Sequence, residues 1–230
     1  MIDDEDARKR LARIFGAVVD ELSVKHAPRK TSEPQISSKI GEALERAGAA
    51  AKAEIEGRQT LPPYDIRITV QDIPDRGPGA MEEQLGADLY VNITVRLGGR
   101  PKSKGFLIQA KKSRRREGLA QQCRKMRAQT DSAYAWIYED DGCWAIDAQT
   151  VIDHPDTALR GLKRRSVTDV FDAVLACSEG DVEIGLPDDE DETAALDRVL
   201  NRLGTPRGVS FVVTKPAKRS SVSVELRGRG

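Results

Sequence analysis

Residues 88–97 alternate without a break, with Leu89, Val91, Ile93, Val95 and Leu97 on one side and Asp88, Tyr90, Asn92, Thr94 and Arg96 on the other. A period of two is the mark of a strand with one buried face. A second run, Gly105 to Lys111, sets Phe106, Ile108 and Ala110 against Leu107, Gln109 and Lys111, and Gly98 with Gly99 supplies a turn between the runs. The two arms form a β-hairpin. A slip of one residue would carry a whole apolar set to the wrong face, so the pairing must keep apolar opposite apolar. A turn centred near Gly99 and Arg100 puts Leu89 opposite Ala110, Val91 opposite Ile108 and Ile93 opposite Phe106. Asp88 then falls opposite Lys111 and Tyr90 opposite Gln109, which gathers a carboxylate, an amide and an ammonium at one end of the hairpin.

A carboxylate and an amide oxygen on adjacent strands suit Mg²⁺, a hard cation that takes oxygen ligands and keeps several waters. Lys111 beside them is placed to orient a water or to offset charge developing on a phosphate. The plainer alternative is a hairpin with polar groups on a solvent face.

GAD (Gly86–Asp88) ahead of one strand and QAK (Gln109–Lys111) closing the next resemble the core motif of the restriction endonuclease-like PD-(D/E)XK superfamily. The form is the QXK variant carried by Mrr-like type IV restriction enzymes. The resemblance spans about residues 34–148. It implies that Asp88 is the metal-binding aspartate, that Gln109 stands at the second ligand position and that Lys111 is the motif lysine. Glutamine departs from the usual acid, and a neutral amide holds a divalent cation more weakly, so a further acidic ligand is needed. The superfamily usually supplies it from its first helix. Glu54, 18 residues after Ile36, shares the stripe of Ile36, Ile40, Ala47 and Ala51 at 3.6 residues per turn. Glu83, with Glu82, lies just ahead of GAD and is favoured by its closeness in sequence to Asp88. Gln122 is a secondary candidate, because in some families of the superfamily a glutamine of the following helix approaches the site.

The chain of 230 residues has 37 basic and 37 acidic side chains, but their distribution is uneven. Between Arg100 and Arg127 only Glu117 opposes a run that includes Lys111, Lys112, Arg114, Arg115, Arg116, Arg124 and Lys125. A basic stripe next to QAK is what a phosphate backbone requires, and Lys112, Arg114, Arg115 and Arg116 are the expected nucleic-acid contacts. Three widely spaced cysteines, Cys123, Cys143 and Cys177, form neither a disulfide framework nor a zinc spacing. With no apolar run long enough for a signal peptide or a membrane span, a cytoplasmic location is expected.

In chain order, residues 3–24 read as an amphipathic helix and residues 26–33 as a polar link with His26 in solvent. A second helix runs from Pro34 to about Glu56, followed by a strand over 64–73 and a Gly- and Pro-rich loop over 74–80. The hairpin leads to a helix over 117–129 and two strands over 133–138 and 143–148, with Trp136 and Trp144 packing in or capping the core. Ser166 with Asp169 reads as a capping box for a helix ending near Gly180, and a last helix covers 193–203. Residues 208–214 and 221–226 read as edge strands, with a basic tail. The expected fold is α/β (α+β): a restriction endonuclease-like core, with a mixed central sheet flanked by helices in the order αβββαβ. The expected division is an N-terminal helix and link (1–33), a nuclease-like core (34–152) and a C-terminal extension (153–230).

The expected activity is that of a Mg²⁺-dependent (or Mn²⁺-dependent) endonuclease hydrolysing DNA through a metal-activated water. RNA, which shares the backbone chemistry, stays open as a substrate. Such nucleases are associated with restriction and anti-phage defence, and cutting both strands calls for a homodimer or a larger defence complex. The alternative is a nucleic-acid-binding or assembly module that keeps the fold without cleavage, favoured by the glutamine in QAK.

Overall fold

The computed structural model describes residues 2–56, 64–73, 86–98, 100–188 and 191–215, with side chains in the second helix described as far as residue 49. Its elements are α1 (Glu5–His26), α2 (Glu33–Glu56), β1 (Asp65–Asp72), β2 (Leu89–Arg96), β3 (Lys102–Lys112), α3 (Leu119–Arg127), β4 (Ala133–Glu139), β5 (Gly142–Asp147), α4 (Ala148–Asp153), β6 (Arg165–Ser166), α5 (Val167–Leu175), α6 (Glu192–Leu203) and β7 (Arg207–Thr214). The sheet is mixed, seven strands in the order β1-β7-β2-β3-β4-β5-β6.

Two apolar layers follow from strand alternation. Leu89, Val91, Phe106, Ile108, Trp136 and Phe211 face α1, α2 and α5, where Phe15, Ile36, Ile40 and Phe171 meet them. Tyr90, Leu107, Ala135 and Ile137 face α3, α4 and α6. The expected chain order α-β-β-β-α-β is present from α2 to β4, but β1 does not neighbour β2. Instead β7 lies between them, antiparallel to β1 and parallel to β2. Residues 208–214 are therefore an inner strand and not an edge. Their run Val209, Phe211 and Val213 belongs to the first layer, together with α5, so residues on both sides of position 152 share one core. The second expected edge strand, 221–226, and the loop at 74–80 lie outside the described residues.

The hairpin has the expected parity and a different register. Leu89 pairs with Ile108, Val91 with Phe106 and Asn92 with Gly105, a shift of two residues that keeps every side chain on its face. Alternation defines faces and leaves shifts of two open; here close packing selects among them. A Cβ on Gly105 would sit 2.5 Å from the Tyr90 ring and 2.6 Å from the Ile184 carbonyl oxygen, so the hydrogen side of this glycine is what lets both approach. Gly105→Ala is expected to destabilise by about 1–3 kcal/mol through overpacking, read as a lower urea midpoint with an unchanged slope.

The polar side of β2 is not a solvent face, contrary to the half-buried strand expected. Asn92 and Thr94 are buried and bonded to one another at 2.9 Å, while Ser103 Oγ donates to Asn92 Oδ1 at 2.8 Å and Asn92 Nδ2 reaches Ser210 Oγ at 3.3 Å. The segment after α5 lies across this network, with Leu186 N donating to Ser103 Oγ at 2.8 Å and Tyr90 donating to Ile184 O at 2.5 Å. Polar residues in mutual partnership tolerate a dry interior. To start this crossing, α5 stops at Leu175, short of the expected Gly180, and Cys177 takes a left-handed φ of 72°. Its start is as read, with Ser166 Oγ accepting from Asp169 N at 3.1 Å. His26 is the buried last residue of α1 and not a solvent-facing loop residue. Trp136 is fully buried, and Trp144 lies under the Arg164 guanidinium, 4.3 Å from its ring centre.

Candidate functional site

The GAD turn is shaped by close contact with α3. Gly86 has φ +76°, and a Cβ there would lie 2.6 Å from the Gln122 carbonyl oxygen, so strand β2 begins directly against the helix backbone. Asp88 N donates to Ile108 O at 2.9 Å, which extends the hairpin ladder by one residue and sets Asp88 beside Gln109. Both side chains are buried. Asp88 Oδ2 accepts from Ala110 N at 2.8 Å and from Gln109 Nε2 at 2.5 Å. Gln109 Oε1 is left buried without a hydrogen-bond partner among the described residues, as is Gln122 Oε1 on the neighbouring helix.

Lys111 follows Gln109 on the same side of β3. It lines a cleft of about 500 Å³ with Arg114, Arg115, Arg116 and Glu117. In the observed register it stands two residues beyond Asp88's partner and not opposite Asp88, as alternation alone suggested.

The backbone of β3 discloses an acid that sequence reasoning missed. Beyond Asp88, β2 no longer covers β3, and the N–H groups of Ala110 and Lys112 point toward the vacated edge. Asp88 takes the first, and Glu33 Oε1 accepts the second at 3.4 Å. N–H groups two residues apart along a strand are separated by roughly 7 Å, so Asp88 caps an N–H within QAK and Glu33 the one just past its end. Glu33 Oε2 also lies 3.7 Å from Arg115 Nη1. The signal was present in the helix pattern: Glu33 precedes Ile36 by three residues and Ile40 by seven, on the stripe that also singled out Glu54. The stripe runs through both ends of α2, and the sheet decides between them. Gly41 lies against Val70 and Gly48 against Ile68, so α2 runs antiparallel to β1 and starts at the β3 end that carries Lys112. Glu54 is 21 residues further along α2, roughly 30 Å from Glu33 by helical rise, which takes it away from the site. Glu82 and Glu83 lie outside the described residues.

The basic stripe divides. Lys112 Nζ donates to Arg29 O at 2.6 Å, Arg115 is paired with Glu33, and Arg116 Nη2 donates to His154 O at 2.5 Å. Arg114 is exposed. Burial, with Asp147 adding to it, pushes the nearby Cys123 thiol up to about 12.

The donors at this end of the strands are hard oxygens: the carboxylates of Asp88 and Glu33 and the amide oxygen of Gln109. This fits a divalent cation of the Mg²⁺ or Mn²⁺ type, with Asp88 and Glu33 as the acids. Among the described residues no group of three or more His, Cys, Asp and Glu side chains converges on one point. None of the helices among the described residues is long and apolar enough to cross a membrane. No protein-family model, curated protein or solved structure matches the chain.

Proposed function

We propose that the protein is a divalent-cation-dependent endonuclease acting on DNA, with a PD-(D/E)XK-like site of the QXK form. The observation that carries this reading is the contact of Asp88 with Gln109 at the end of β2 and β3, with Glu33 capping the next N–H of the same strand. Asp88 and Glu33 would hold Mg²⁺ or Mn²⁺, and the unmatched Oε1 of Gln109 would complete the set. When bound, the cation supplies charge neutralisation at a scissile phosphate and an acidified water. Ala110 N orients the Asp88 carboxylate by fixing one of its oxygens. Lys111, at the mouth of the basic cleft, faces negative charge as it develops on the phosphate. Arg114 and the exposed part of Arg115 give the backbone of the nucleic acid its counter-charge.

A second reading has its own observation. Asp88 Oδ2 already accepts from two internal donors, which suits a site that has become a structural lock in a DNA-binding module.

Plasmid incubated with the full chain and Mg²⁺, Mn²⁺ or no divalent cation separates the two. The nuclease cleaves only with cation, and Lys111→Ala lowers the rate by about 10²-fold or more while binding stays within a few-fold. Salt-sensitive binding without cleavage under either cation supports the module.

A further inference from the structure

We infer that nucleic-acid binding and cation binding are coupled through Arg115, which holds Glu33 until an anion displaces it; this rests on reading Glu33 as a metal ligand. The Glu33 side chain is only 11% exposed, and its partners are Lys112 N at 3.4 Å and the Arg115 guanidinium at 3.7 Å. The Arg115 side chain is 72% exposed. It lines the cleft with Lys111, Arg114 and Arg116, and also a second cleft of about 330 Å³ toward Tyr138, Glu139 and Arg160. The guanidinium therefore bridges the acid of the site and the surface an anionic backbone would occupy.

An ion pair at this distance whose guanidinium stands in solvent is weak, and a phosphate that binds the guanidinium bidentately outcompetes it. Once Arg115 turns to phosphate, Glu33 is a nearly buried carboxylate with one backbone N–H, and a divalent cation becomes its natural counter-charge. Each ligand then raises the affinity of the other, and linkage makes the two factors equal. Arg114 is the internal control. It carries the same charge next door and lines the same clefts, but it is not paired with Glu33.

Mn²⁺ binding to the full chain, followed through the electron paramagnetic resonance of the free ion, tests this with and without a short DNA duplex, the duplex alone serving as blank. The duplex is expected to tighten Mn²⁺ binding about threefold beyond its own uptake. Arg115→Ala should bind Mn²⁺ more tightly than wild type in the absence of duplex and show no further response to it. Arg114→Ala should weaken duplex binding but keep the threefold response at saturating duplex. An Arg115→Ala protein that responds like wild type, or an Arg114→Ala protein that loses the response equally, overturns the coupling. Mn²⁺ binding indifferent to both Asp88→Asn and Glu33→Gln overturns instead the functional reading on which it rests.

Discussion

Asp88→Asn is expected to lower the proposed cation-dependent cleavage by more than about a hundredfold, the upper range for partners that merely orient a metal ligand, while the fold survives. The asparagine oxygen can still accept from Ala110 N and Gln109 Nε2, so the stability cost is about 1–3 kcal/mol, that of weakening two charge-assisted hydrogen bonds. Glu33→Gln is expected to have an effect of the same order on that cleavage, because the amide keeps the Lys112 N–H contact but loses the negative charge. Glu54→Gln leaves the rate near wild type, since α2 carries that position roughly 30 Å away. Conversion of supercoiled plasmid under single-turnover conditions, with melting curves on each variant, reads all three. Full activity in Asp88→Asn, or a loss in Glu54→Gln matching that in Glu33→Gln, contradicts the site as drawn.

The largest stability effect is expected at Phe171. Its ring lies 5.8 Å from that of Phe15, 5.5 Å from Phe211, 6.4 Å from Phe106 and 6.5 Å from Trp136, joining α5 to α1, β7, β3 and β4. Truncation to alanine leaves a cavity that none of these neighbours can close by itself, because each is held by its own strand or helix. Phe171→Ala is expected to cost about 3–5 kcal/mol, a large part of a typical domain's stability. Urea unfolding followed by tryptophan fluorescence and by circular dichroism should move together in a single transition, because Trp136 and Phe171 belong to one core. Two separated transitions would show instead that the chain after residue 152 unfolds independently.

The hairpin was legible because alternation is a local property. Leu89 to Leu97 and Phe106 to Ala110 assign their own faces, and with them the shared side of Asp88, Gln109 and Lys111. Register was not, because a shift of two residues preserves every face and the selecting contacts at Gly105 come from Tyr90 and from the distant Ile184. Burial of the polar side of β2 was hidden for the same reason: Asn92 and Thr94 read as solvent residues until Ser103, Ser210 and Leu186 appear around them. Glu33 falls on the helical stripe of Glu54, but a helix started at Pro34, where the structure starts it at Glu33, leaves that acid at the end of the polar link. Only the direction of α2 across the sheet separates them. Residues 208–214 have the pattern of a strand, and nothing local says that both of their edges will be occupied.

That last strand has a consequence for synthesis. Residues 65–72 and 89–96 leave the ribosome before residues 207–214, the strand that lies between them in the sheet, so a nascent chain must keep two apolar ribbons apart from wrong partners until the closing segment emerges. Pairings of such long sequence separation form slowly, and unfilled sheet edges recruit other chains in the meantime. Growth at lower temperature or with abundant chaperones is therefore expected to raise the yield of correctly assembled protein more than any single surface substitution.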